Sequence, residues 1–289
     1  MNFYCIVRNK NSKNKSLKLL EESCAKKNIN FVLIGAGSYD FTKNKDLNEN
    51  DLIYRIATSA TAVTIEKEFL NNKCLSFYSD YKLGIQKNKS NSDYIIHKKE
   101  KGVPIIKTIF NLPTNKELLK KYVKYLNGFP IVVKAIGGSH GVGVIRIDSM
   151  ESLLSAGDFL NSDAIQSVQS DYIMREFIPH TEQARLIVLG NKVIASKGNR
   201  KVSDDFRLNK GNIKELSKKY SSEIENTAVQ AVKSLGWEFG GVDVLIDEKS
   251  DHYLAEVNLP CNFARTQLVA KVNIADMMVD YLIKKKLKK

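Results

Sequence analysis

The segment "GGVDVLIDEKSDHYLAEVN", residues 240–258, carries three oxygen-donating side chains among apolar neighbours: Asp243, Glu256 and Asn258. Strand side chains alternate between two faces, so Glu256 and Asn258 share one face. A hairpin centred near residues 249–250 sets Asp243 opposite Glu256, with ~4.5–5.5 Å between Cβ atoms. Two facing carboxylates repel unless a cation lies between them. Hard oxygen donors with open positions suit a divalent ion that bridges phosphates, Mg2+ first and Mn2+ as the alternative. The competing reading is a solvated polar face with each acid paired to a lysine.

A second segment could cradle those phosphates. "IVVKAIGGSHGVGVIRI", residues 131–147, places Gly137, Gly138, Gly141 and Gly143 between two β-branched runs, with Lys134 ahead of them. Such a loop lets backbone N–H groups approach phosphate oxygens without interference from Cβ atoms. A Walker A loop or a dinucleotide-binding loop would open a helix, whereas Gly143 leads into a strand. Protein kinase loops do join strands, but there the lysine follows the loop, and HRD and DFG segments are absent here. The loop reads as a lid over a nucleotide, with a flexible hairpin as the plain alternative. His140 within it reads as an exposed loop residue.

The elements that must position these segments follow from periodicity. "FYCIVRN", "FVLIGAG" and "DLIYRIA" read as strands, with the helix "SLKLLEESCAKKN" between the first two, a parallel α/β unit. "NSDYIIHKKEK" reads as a helix, and "NKELLKKYVKYL" as another with Leu118, Tyr122, Tyr125 and Leu126 on its buried stripe. "DYIMREFI" is strand-like, and "ARLIVLGNKVIASKG" is a hairpin turning at Gly190–Asn191. "SSEIENTAVQAVKSLG" is a helix with Ser222 and Glu225 as a capping box.

Composition sets the outer limits. The chain has 289 residues, 43% of them hydrophobic and 27% charged, and a formal net charge of +13. That suits about two folded domains. No run approaches the ~18 apolar residues of a membrane span. Four scattered cysteines without a CxxC pair argue against a zinc site and a disulfide framework, and fit the cytoplasm. The positive charge favours polyanionic ligands, but no nucleic-acid-binding signature accompanies it. The terminal "KKKLKK" reads as a solvated surface.

"IVVKAIGGSHGVGVIRI", "YIMREFI", "GGVDVLI" and "YLAEVN", in that order and at those separations, resemble the ATP-grasp fold, and within it the RimK/LysX-type carboxylate–amine ligases. The similarity begins upstream, at "YRIATSAT" and "NKSNSDYIIHKKEKGVPIIKT". The resemblance implies an α/β (α+β) architecture: an N-terminal domain over residues 1–87, then two α+β lobes, 88–175 and 176–289, clasping ATP. It implies that Lys89 and Lys134 contact the nucleotide, with Lys82 a rival to Lys89, and that Gly138, Ser139, Gly141 and Gly143 cover its phosphates. Glu176, Phe177 and Ile178 resemble the hinge that holds adenine, and Asp243, Glu256 and Asn258 match the magnesium ligands. Arg185, Arg207 and Asn209 resemble residues that hold the transferred phosphate or the incoming carboxylate.

The sequence departs from the pattern in three places. Gln183 stands where the family often has aspartate, with Glu182 a candidate substitute. Asn199 stands where an arginine is usual, with Arg200 beside it. "NLPCNFARTQ" replaces a small-residue run that faces the acceptor in the family. Cys261 within it reads as a small buried residue. The implied reaction makes an acylphosphate from a carboxylate and ATP, then an amide with an amino-acid amine. Glutamate is the candidate donor, and a peptide, protein or small molecule, acidic if the surface charge guides it, the candidate acceptor. The alternatives are an ATP-grasp kinase and a non-catalytic nucleotide-binding module. Self-association is left open.

Overall fold

Three apolar runs in the first fifty-five residues pair side by side. Strands β1 (Asn2–Val7), β2 (Asn30–Gly35) and β3 (Leu52–Arg55) form a parallel sheet in the order β2-β1-β3. Helix α1 (Lys15–Lys26) makes the crossover from β1 to β2, and α2 (Ala60–Asn71) follows β3 and leads to Leu75, which bridges Leu52 in parallel. Each begins at a side-chain cap: Asn14 accepts the Ser16 N–H at 2.9 Å and Ser59 accepts the Ala62 N–H at 3.3 Å. The short helix α3 (Tyr81–Gly84) follows. The computed structural model describes residues 1–42, 47–84, 102–136, 142–162, 172–201, 205, 207 and 213–287. The helix expected at "NSDYIIHKKEK" lies outside them.

The middle of the chain builds an antiparallel sheet from β4 (Thr108–Ile109), β5 (Ile131–Ala135), β6 (Val144–Ile147) and β7 (Tyr172–Glu176), in the order β4-β7-β5-β6. Helices α4 (Lys116–Tyr125) and α5 (Met150–Leu160) bring Leu119, Val123 and Leu153 into one core with Ile131, Val133, Ile147 and Met174. The stripe of α4 is rotated from the expected one. Leu119 and Val123 are buried, with Leu126 just past the helix end, while Tyr125 is 46% exposed. The 119–123–126 spacing is fully aliphatic, and the tyrosines, with polar tips, take the boundary.

The last sheet contains β8 (His180–Leu189), β9 (Lys192–Lys201), β10 (Ile213–Ser217), β11 (Phe239–Asp247) and β12 (His252–Asn258), in the order β10-β9-β8-β11-β12. Its β8–β9 hairpin turns at Gly190–Asn191 as expected. Helix α6 (Ser222–Ser234) covers one face. Its cap is Ser221, which accepts the Ile224 N–H, and not Ser222, which is already helical. After α7 (Ala264–Ala270), helix α8 (Ile274–Lys286) packs the other face against α1. Lys285 is part-buried and not a free surface cation: it donates to Ser76 O at 3.1 Å and Tyr78 O at 2.9 Å, and pairs with Glu238. No described helix is long and apolar enough to cross a membrane.

The first and last sheets share two cores. Ile6, Ile53 and Phe69 pack with Leu186, Val244 and Trp237, while Phe3 and Leu20 pack with Ile187, Phe239 and Met278. Arg55 fixes one end of this junction. Its Nε donates to Glu66 at 2.7 Å and its Nη1 to Ala57 O at 2.7 Å, while Tyr78 donates to Glu66 at 3.0 Å, all of them buried. Removing one partner of a buried ion pair strands the other charge away from water. Glu66→Ala is therefore expected to lower unfolding free energy by ~3–5 kcal/mol in urea titrations, and Arg55→Met with Glu66→Leu to recover most of it.

Candidate active site

The β11–β12 ribbon presents the three oxygen donors. Near its turn the ladder is regular, pairing Ile246 with His252 and Val244 with Leu254, so the turn centres on Lys249. Continued unchanged, that register would set Ala255 opposite Asp243 and send Glu256 to the face of Val242, under α6. A bulge beside Val244 adds one residue to β12. Asp243 then faces Glu256, and Gly241 faces Asn258. The expected pairing is present, and the bulge produces it.

Two cations meet the two acids. Arg185, directly across from Asp243 on β8, places Nε 2.7 Å from Asp243 Oδ1. Lys134, from β5 of the middle sheet, places Nζ 3.5 Å from Glu256 Oε2. Asn258 Nδ2 lies 3.4 Å from Asp243 Oδ2. Burial opposes charge on Arg185, yet the adjacent Asp243 carboxylate outweighs it and raises the guanidinium's pKa. Gly241 makes this arrangement possible. A Cβ there would come within 2.9 Å of both Arg185 Nη1 and Cys261 Cβ.

The other expected site residues divide. Gly143 ends the glycine segment at φ +75°, its carbonyl accepting the Ala135 N–H at 2.8 Å, and a Cβ would press Ala135 at 3.0 Å. Glu176 closes β7; its N–H already donates to Lys107 O at 3.1 Å and its carboxylate accepts from Asn127 at 2.6 Å. The Phe177 ring lies 4.7 Å from the Arg146 guanidinium, and Ile178 is buried. Arg207 is held by Asp205, Nη2 to Oδ2 at 2.7 Å, and this contact raises its pKa. Lys89, Gly138, Ser139, Gly141 and Asn209 lie outside the described residues. Burial pushes the Cys261 thiol up to about 12, so it is no ready nucleophile.

Alternation on β8 separates two neighbours that the sequence left as substitutes. Gln183 shares the face of Arg185 and Asp243, whereas Glu182 points to the opposite face. There Glu182 accepts from Lys218 at 2.8 Å and Tyr220 at 2.6 Å, with Arg200 at 3.5 Å. Glu182 therefore cannot stand in for an acid beside Arg185. A polar floor, of which the sequence marked only Asn199, continues the site face instead. Lys197 lies opposite Arg185, Asn199 opposite Gln183, and Glu215 opposite Asn199. Glu215 is held between Lys197 and Arg265. The signal was the alternation of Lys197 and Asn199, hidden by a second bulge between Ile187 and Val188.

A family model described as a RimK-like ATP-grasp domain matches residues 86–282. A protein named probable alpha-L-glutamate ligase from Vibrio parahaemolyticus serotype O3:K6 is 28% identical over 84% of this chain and 79% of its own. The ATP-grasp ligase PsnB, solved with a minimal precursor, superposes with a TM-score of 0.70 at 15% identity, covering 99% of this chain and 100% of that one. D-alanine–D-alanine ligase from Bacillus anthracis gives a TM-score of 0.70 at 17% identity, over 100% and 98% of the two chains.

The Glu182 cluster has a testable pH signature. Burial alone would raise this carboxyl, but hydrogen bonds from Lys218 and Tyr220 outweigh it and lower the pKa from the ordinary 4.5. The resulting stability is complete above 4.5 and is lost as pH falls through the lower folded-state value. In urea unfolding midpoints measured against pH, Glu182→Gln should flatten this acid limb while lowering stability at neutral pH.

Proposed function

The chain belongs to the RimK-like ATP-grasp family, and from that premise we propose that it joins a carboxylate to an amino-acid amine at the expense of ATP. The observation that carries this reading is the facing pair Asp243 and Glu256, met by Arg185 from the same sheet and by Lys134 from another. Two carboxylates and an amide on one sheet face form a hard-oxygen set that fits Mg2+ with positions left for water and phosphate. Asp243, Glu256 and Asn258 would hold the ion. When bound, it neutralises charge on the nucleotide's phosphates.

A substrate carboxylate oxygen attacks the γ-phosphorus, and ADP leaves. The amine then attacks the acyl carbon of the acylphosphate, losing a proton as inorganic phosphate departs. No protein nucleophile is needed, so the side chains act by position and charge. Lys134 offers its ammonium beside Glu256, where a metal-bound triphosphate would lie. Arg185, anchored through Nε, directs its remaining N–H groups at the transferring phosphoryl group. Lys89, Gly138, Ser139, Gly141 and Gly143 close over the phosphates, and the Glu176–Phe177–Ile178 segment holds adenine by main-chain groups other than the engaged Glu176 N–H. Arg207 and Asn209 steady the phosphate or the incoming carboxylate.

Relatives carry the name probable alpha-L-glutamate ligase, which supports glutamate as the amine donor. The formal charge of +13 supports an acidic peptide, protein or small acceptor. Four buried free thiols support a reducing compartment, the cytoplasm.

With Mg·ATP and a panel of amino acids and acidic peptides, phosphate release should depend on the added amine, and the product should carry a new amide. A phosphorylated hydroxyl in place of the amide would mark a kinase and overturn the reading. Glu256→Gln should cut turnover at least about a hundredfold with its unfolding curve within ~1 kcal/mol of wild type. Gly241→Ala, by pushing Arg185 off its seat, should lower kcat by about a hundredfold.

A further inference from the structure

Arg175 is a buried charge that the reaction outlined above leaves unused. It lies on β7, 7% exposed, in the middle sheet. Its face is settled by register: Arg175 is opposite Val132, two residues from Lys134 on β5, while Met174 and Val133 point into the α4–α5 core. Arg175 and Lys134 therefore leave the same face of one sheet and cross to the same strand of another. Lys134 reaches Glu256, and Arg175 Nη1 donates to Ala255 O at 2.8 Å.

Ala255 is the residue that the bulge leaves without a partner on β11. It is also on the edge strand of its sheet, whose outward backbone groups must find partners beyond the ladder. One residue earlier, the Leu254 N–H donates to Pro104 O at 2.7 Å, beside a parallel bridge between Ile105 and Leu254. Consecutive residues of β12 are thus held from the middle of the chain at three points: backbone at Leu254, guanidinium at Ala255, ammonium at Glu256. A methionine or leucine would fill the position of Arg175 at less desolvation cost. A cation there, donating to the Ala255 carbonyl, has a use that packing does not supply.

We propose that Arg175 is a positioning residue: it fixes the bulge at Ala255 and so keeps Glu256 on the face it shares with Asp243. This rests on the metal-site reading of Asp243, Glu256 and Asn258. Without the bulge, the register of Val244 with Leu254 turns Glu256 towards the apolar core, and Ala255 takes its place beside Asp243. Arg175 touches neither phosphate nor substrate in this role. It acts through the backbone next to a ligand, as outer contacts of metal ligands do.

The test is Mn2+ binding to the full chain with saturating ADP, followed by electron paramagnetic resonance and needing no turnover. Arg175→Met should raise the Mn2+ Kd about tenfold. Arg175→Lys, which keeps a donor without the planar reach of guanidinium, should lose less. Combined with Glu256→Gln, Arg175→Met should add less than about twofold, because both changes act on one ligand. An unchanged Kd in Arg175→Met overturns the proposal. So does an undiminished tenfold loss on top of Glu256→Gln, which would mark a general loosening between the sheets. If Mn2+ binding by the wild-type chain is insensitive to Glu256→Gln, the metal-site reading itself fails and this proposal with it.

Discussion

One extra residue in β12 decides which way Glu256 faces. On the turn side of the bulge, Leu254 packs into the core with Val244; on the far side, Glu256 and Asn258 line up with Asp243 and Gly241. Leu254 and Glu256 are two apart and in a regular strand would share a face. The ribbon thus gives a core residue and a polar residue of the same parity to opposite sides of one sheet. Everything chemical about the site presupposes that switch, since Arg185 meets Asp243 across an undistorted part of the neighbouring ladder.

The charges then balance across two sheets. Asp243 is buried and would be costly as a lone anion, and Arg185 beside it offsets that cost. Glu256 is only part-buried and takes its cation from β5. The same strand that supplies Arg185 supplies Glu182 to the other face, where Lys218 and Tyr220 enclose it. One surface of the sheet carries the candidate site and the reverse carries the ion cluster around Glu182. Adjacent residues on β8 belong to different tasks.

Much of this was legible in the chain. The parallel unit at the N-terminus, the β5–β6 pair around the glycines and the hairpin at Gly190–Asn191 follow from local alternation and turn residues, which act over a few positions. The facing of Asp243 and Glu256 was also expected, though from a turn centred half a residue away from the real one. Bulges are invisible to a period-two reading, because they change the count without changing the composition. For that reason the place of Lys197 opposite Arg185 is not readable from the chain, whereas plain alternation on β8 suffices to part Glu182 from Gln183. Tertiary contacts account for the remaining differences. Lys285 sits in a lysine run that reads as solvated, and only the approach of the chain at Ser76–Tyr78 and Glu238 gives it acceptors. Arg175 likewise gains meaning only when β12 crosses its path.

The apolar interior is partitioned unequally. The N-terminal and C-terminal sheets are welded through two common interiors, whereas the sheet bearing the glycines keeps Leu119, Val123 and Met174 to itself. A body with a private interior can pivot without exposing oil, and polar tethers such as those at Ala255 and Glu256 can be remade at little expense of hydration. Parting the glycine-bearing sheet from β12 would therefore break the polar contacts at Ala255 and Glu256 and leave its apolar core whole.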